Sequence, residues 1–226
     1  MAESMLVVEG LSKSYADLVA LAPLDLTIGA GEMVALVGHN GSGKSTLLRL
    51  AAGVLEPTTG TVTIAGAPAG SLGARAAASY LADEPVLYED LSVREHLAYV
   101  SRLHGLDASP EDADEVLDRI GLLPRADDLP ARFSRGLRQK MAIALGVFRP
   151  FRLLLVDEPF VGLDAPGKAA LLDLLAELHG HGAAVVVATH DPLFVERVDR
   201  CLALRDGELI HDGTATPDDV MRFVGA

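Results

Sequence analysis

Scarcity shapes this chain: it has no tryptophan, one cysteine, and aromatic residues at only 4%. With so few aromatic rings, the core is expected to be mainly aliphatic. With 50% of the residues apolar, the supply suits a parallel sheet buried on both faces. Cys201 stands alone in the apolar run CLAL, which excludes a disulfide within the chain and points to a reducing compartment. Basic residues are the next shortage. Lysine occurs only at positions 13, 44, 140 and 168, and the formal net charge is −13. Nucleic-acid binding needs clustered Lys and Arg against phosphates, so no nucleic-acid partner is expected. No apolar run approaches the ~18 residues of a membrane span. The first residues, MAESMLVVEG, lack the basic region and long apolar stretch of a secretory signal. If the chain works at a membrane, another polypeptide is expected to hold it there.

What is present falls into three parts. Residues 5–8, 24–28 and 33–37 read as strands, with Gly29-Ala30-Gly31-Glu32 as a turn and residues 60–66 as a further β-branched run. Residues 43–53 read as a helix. The middle third is helical: Ser92 and Glu95 have capping-box form, Ser109-Pro110 opens a second helix, and a third spans residues 135–147. In the last third, aliphatic strands over 153–156, 184–188 and 201–204 alternate with helices over 165–179 and 193–198, and Asp206-Gly207 signals a hairpin into 208–211. Strand–helix–strand repetition predicts a mostly parallel sheet covered on both faces. The expected fold is α/β, one domain over 1–226. Residues 1–83 and 151–226 form the core with an antiparallel β part at the N-terminus, and 84–150 form a helical insert.

GHNGSGKST, residues 38–46, follows one of these strands and opens a helix. That is the context in which G-x-x-x-x-G-K-[ST] binds a nucleotide triphosphate. Gly38, His39, Asn40, Gly41, Ser42, Gly43, Lys44, Ser45 and Thr46 are therefore the candidate nucleotide-triphosphate-binding loop. Its glycines let backbone amides turn toward a phosphate chain, and the helix N-terminus adds a favourable dipole. Lys44 brings a compact cation to the β- and γ-phosphates, and the Ser45 hydroxyl a ligand to Mg²⁺, the expected cofactor. RLLLVDEP, residues 152–159, supplies the other half. Its apolar residues drive a buried strand, and Asp157 emerges at the C-terminal edge, where ligands sit in such sheets. Asp157 is placed to hold Mg²⁺ through water. Glu158 beside it can orient or deprotonate the attacking water. The two segments together predict a P-loop ATPase core.

In the order of its motifs the chain resembles, over nearly its whole length, the ATP-binding subunit of ABC transporters. Tyr15, after LVVEGLSKS, matches the aromatic that stacks on adenine. FSRGLRQKMAIAL, residues 133–145, resembles the signature LSGGQ and its helix, with Phe133 for Leu, Arg135 for the first Gly and Leu137 for Gln. Ser134 and Gly136 remain, and a hydroxyl with an amide at a helix N-terminus can form a small anion site. Val161-Gly162-Leu163-Asp164 resembles the D-loop, usually SGLD, and His190 of ATHD matches the switch histidine.

This resemblance implies catalytic roles for Glu158 and His190. It implies two protomers, this chain with a second copy or a homologous subunit, closing head to tail on two ATP molecules. Ser134, Gly136 and Asp164 would then meet the ATP of the opposite protomer. It further implies an ATP-hydrolysing, energy-coupling subunit that drives an integral membrane permease from the cytoplasmic, inner face of the cell membrane. Ser134-Arg135-Gly136 and EPVLY (84–88) resemble exporter-type subunits. The competing class is a soluble ABC ATPase acting on ribosomes or in DNA repair; the single cassette, the acidic charge and the lack of a long insertion speak against it.

One stretch departs most from the family pattern. YLADEPVLYEDL, residues 80–91, places Asp83 where the family has a glutamine whose oxygen reaches Mg²⁺. Two readings stay open. Either Asp83 is a shorter, charged metal ligand, with Glu84 as its substitute, or it faces solvent and leaves the metal to Ser45 and Asp157.

Overall fold

The aliphatic segments build two sheets that share the strand-rich ends of the chain. The computed structural model describes residues 3–225. Its strands are β1 (Ser4–Tyr15), β2 (Leu18–Gly29), β3 (Met33–Val37), β4 (Thr59–Ile64), β5 (Ala67–Pro68), β6 (Ala78–Leu81), β7 (Leu153–Asp157), β8 (Ala184–Ala188), β9 (Arg200–Arg205) and β10 (Glu208–Gly213). Its helices are α1 (Lys44–Ala51), α2 (Leu72–Ala77), α3 (Val93–Leu103), α4 (Pro110–Arg119), α5 (Arg135–Val147), α6 (Ala165–Gly180), α7 (Pro192–Val195) and α8 (Pro217–Val224).

The central sheet runs β10-β9-β3-β8-β7-β6. All its pairings are parallel except the β9–β10 hairpin. The second sheet, β2-β1-β4-β5, is antiparallel. Side chains alternate across a strand, and here both faces are buried. Met33, Ala35 and Val37 of β3 pack in one core with Leu154 and Val156 of β7 and the helices α3 to α6. Val34 and Leu36 enter another, with Leu153, Leu155, α1 and the antiparallel sheet. This two-sided burial explains why the central strands are uninterrupted aliphatic runs.

Between β6 and β7 the chain folds as α3, α4 and α5, where Leu97, Leu117, Met141 and Ile143 are buried together. The predicted capping box of α3 is complete: the Glu95 amide donates to Ser92 Oγ at 3.3 Å, and the Ser92 amide donates to Glu95 Oε2 at 2.7 Å. Such a cap stabilises a helix by about 1 kcal/mol.

Three features go beyond the sequence reading. β1 and β2 are much longer than the predicted cores of residues 5–8 and 24–28. Polar residues 12–14 mask the strand, and pairing with both β2 and β4 holds it. α2 is only six residues long, too short for a periodic signal. α8 carries a capping box between Thr216 and Asp219 with Pro217 at its start, the same signal that marks α4. Among the described residues, no helix is long and apolar enough to cross a membrane.

Candidate active site

Parallel pairing places the C-terminal ends of β3, β8, β7 and β6 side by side on one edge. The residues that follow them are Gly38, Thr189, Glu158 and Ala82. The topology alone therefore brings the glycine-rich loop, the acidic pair, His190 and Asp83 to one edge of the sheet. Backbone bonds lock the strand ends together. The Glu158 amide donates to the Ala188 carbonyl at 2.8 Å, and the Thr189 amide donates to the Leu36 carbonyl at 3.1 Å.

A cavity of about 290 Å³ opens here, lined by Leu18, Val19 and Ala20 of β2, residues 40–46, Asp83 and Glu158. The loop needs its glycines for space. A Cβ on Gly38 would lie 2.2 Å from the Leu204 carbonyl oxygen, and one on Gly43 would lie 2.9 Å from that of Ala20. The β9–β10 turn braces the loop from outside, with the Gly207 amide donating to the Ser42 carbonyl at 3.0 Å. His39 Nε2 sits 3.4 Å from Asp206 of the same turn. Sequence reasoning saw Asp206-Gly207 only as a hairpin; nothing local marks it as a brace.

α1 is the exception among the α-helices. Gly43 at its N-cap makes no side-chain hydrogen bond, whereas Ser71, Ser92, Ser109, Ser134, Asp164, Asp191 and Thr216 cap the other seven. The first-turn amides of α1 are left for an external acceptor, which suits a phosphate. Lys44 is buried, and its Nζ donates to the carbonyls of Gly38 at 2.7 Å and His39 at 3.2 Å.

Asp157 is 1% exposed, and neither carboxylate oxygen has a hydrogen-bond partner. Burial pushes its pKa up and the charge of Asp83 adds to that push, while the charges of Lys44 and Arg49 pull it down. Two unsatisfied oxygens on a buried acid beside a phosphate loop are the donor set a hard divalent cation accepts. Glu158 has φ of 46°, a left-handed conformation that costs a non-glycine residue about 1–2 kcal/mol. Its Oε1 lies 3.8 Å from Lys44 Nζ, and its Oε2 lies 3.5 Å from His190 Nδ1. Burial raises the Glu158 pKa against the opposing pull of Lys44 and His190. A carboxylate moved toward neutral pH is better matched to accept a proton.

The other predicted residues lie around this centre. Tyr15 is half-exposed, with Lys13 Nζ 5.0 Å from its ring centroid. It does not line the cavity, though its register partner Leu18 does. Ser134 caps α5 by accepting from the Leu137 amide at 3.3 Å. Asp164 caps α6 by accepting from the Gly167 amide at 3.0 Å. Gly136 packs directly on Gly162, whose carbonyl oxygen would be 2.4 Å from an added Cβ. Ser134, Gly136 and Asp164 are not among the residues lining the chain's own phosphate cavity. Asp83 lines the cavity, and its Oδ1 accepts from Arg135 Nη2 at 3.0 Å. Glu84 is exposed and outside the cavity lining.

The fold and this edge define a P-loop ATPase. A sequence model described as ABC transporter matches residues 21–161. The chain is 36% identical over 223 residues to LolD, a lipoprotein-releasing system ATP-binding protein of Shewanella sp. (strain MR-4), spanning 92% of this chain and 96% of that protein. It is 34% identical over 213 residues to SkfE, the SkfA peptide export ATP-binding protein of Bacillus subtilis (strain 168), spanning 92% and 88%. The macrolide export ATP-binding/permease protein MacB 1 of Aeromonas hydrophila shares 34% identity over 230 residues, 96% of this chain but 36% of that longer protein.

Among solved structures, an ATP-binding subunit of an ABC transporter matches with a TM-score of 0.85 and 34% identity, covering 96% of this chain and 92% of that one. A dimeric ATP-binding cassette in a post-hydrolysis state with ADP and Pi matches with 0.86 and 26%, covering 93% and 98%. The chain belongs to the ABC transporter family, as an ATP-binding, ATP-hydrolysing cassette.

Proposed function

We propose that this chain is the energy-coupling subunit of an ABC exporter, closing with a second cassette around two ATP molecules and driving a separate integral membrane permease. The observation that carries the ATPase chemistry is the buried, unpartnered Asp157 beside a strained Glu158, both facing a phosphate loop whose helix has no side-chain cap. Ser45 and Asp157 would hold Mg²⁺, which when bound offsets the charge on the phosphate oxygens. Lys44 would exchange two neutral carbonyl acceptors for anionic phosphate oxygens, a stronger partnership. Glu158 would orient water and take its proton, with His190 next to it contacting the γ-phosphate.

Ser134, Gly136 and Asp164 would serve the ATP of the opposite protomer, because they lie outside their own chain's cavity. A dimeric cassette among the similar structures supports that arrangement. Export is supported by relatives described as a peptide export protein, a lipoprotein-releasing protein and a macrolide export protein. The helical insert, residues 84–150, would pass the cycle to the permease, and the chain would sit on the cytoplasmic face of the membrane. Membrane fractionation tests this. The chain should sediment with membranes and leave them when its permease is deleted. Stable association with ribosomes or DNA, independent of membranes, would overturn it.

A further inference from the structure

Arg135 is the first residue of α5, a helix end where the macrodipole disfavours a cation. Its guanidinium nevertheless stays there, donating from Nη2 to Asp83 Oδ1 at 3.0 Å, 52 positions away. The stem of the side chain runs over Gly162, where an added Cβ would be 3.3 Å from Arg135 Cγ. Arg138 makes a parallel tie, donating from Nη2 to Glu89 Oε1 at 3.0 Å. The first turn of α5 is thus held to the segment after β6 by two ion pairs.

Asp83 and Arg135 are 39% and 60% exposed, so the pair contributes little to stability. Its charge matters more to the cavity. Asp83 and Glu158 line that cavity against one cation, Lys44, with Asp157 buried beside it. A triphosphate entering there adds further negative charge.

We infer that Arg135 serves the ATP site of its own chain: it neutralises Asp83 at the rim, so that a cavity already rich in carboxylates accepts a triphosphate. Arg135 is a positioning and charge-compensating residue acting through Asp83. The inference rests on the cavity being the ATP site. An unscreened unit charge several ångströms from the phosphates, in a medium between protein and water, changes affinity by about fivefold.

The experiment is equilibrium binding of a fluorescent ATP analogue with Mg²⁺ to the full chain at low salt. Arg135→Gln should weaken binding by about fivefold, Asp83→Asn should tighten it by a similar factor, and the double variant should return to near wild type. Arg135→Lys, which keeps the charge, should bind like wild type. The Arg135→Gln deficit should shrink in high salt, as an electrostatic effect must. Equal weakening by Asp83→Asn and Arg135→Gln would mean a structural pair and overturn the inference, as would an Arg135→Gln chain that binds like wild type. A wild-type chain that binds no analogue overturns the ATP site itself and the inference with it.

Discussion

Two helices of this chain open beside motif loops, and their first turns are finished in opposite ways. α1 begins at Gly43, which has φ of 106° and no side chain to cap the exposed amides. α5 begins at Ser134, whose hydroxyl takes up the Leu137 amide, and continues with a cation tied to Asp83. α1 compensates by burial, with Leu47, Leu48, Leu50 and Ala51 in the core. In the first turn of α5 the Leu137 amide is already satisfied within its own chain. A helix end that forgoes its cap is prepared for a ligand from its own cavity. A helix end that keeps its cap has to share it with whatever arrives from outside.

Substitutions can break this contrast, beginning with the largest effect. Glu158→Gln should lower turnover by about 10²- to 10⁴-fold while ATP binding persists, measured by phosphate release beside equilibrium binding. Lys44→Ala removes the buried cation between the Gly38 and His39 carbonyls. It should weaken ATP affinity by about tenfold to a hundredfold, the range of a lost charge-assisted hydrogen bond.

At α5 the effects should fall on stability. Gly136→Ala puts a methyl 2.4 Å from the Gly162 carbonyl oxygen. It should cost about 1–3 kcal/mol in urea denaturation, the range of overpacking. Ser134→Ala removes a cap and should cost about 1 kcal/mol, with ATP affinity of the isolated chain unchanged.

The smallest effect has the opposite sign. Burial holds the Asp157 pKa above its ordinary 3.8, so the native chain binds that proton more tightly than the unfolded chain does. Stability is then fully present below the unfolded value and falls as pH rises through the native one. Asp157→Asn removes this loss. Without nucleotide at neutral pH, the variant should melt higher than wild type. The gain should vanish on acidification below the ordinary carboxylate range. A variant that melts lower at neutral pH would show that Asp157 is compensated in the native fold.

Much of this was legible in the sequence, for physical reasons. The central strands announced themselves because burial on both faces demands unbroken aliphatic runs, as in residues 153–156 and 184–188. α3 and α4 were marked by capping residues whose chemistry is local. The phosphate loop and the Asp157–Glu158 pair were legible because each is contiguous and follows a strand. The β1–β2 hairpin was shortened because its ends are held by pairing rather than by apolar pattern. The support given by Asp206 and Gly207, and the bond between Asp83 and Arg135, join residues far apart in the chain, and no local signal encodes them.

The most direct measurement is the mass of Glu158→Gln in solution, by light scattering, with and without ATP. A site completed by a second copy of the chain predicts a monomer without nucleotide and a dimer that persists in ATP, because Glu158 is no longer there to complete the cycle. A chain that stays monomeric at saturating ATP, or a variant that hydrolyses ATP at the wild-type rate, would contradict it.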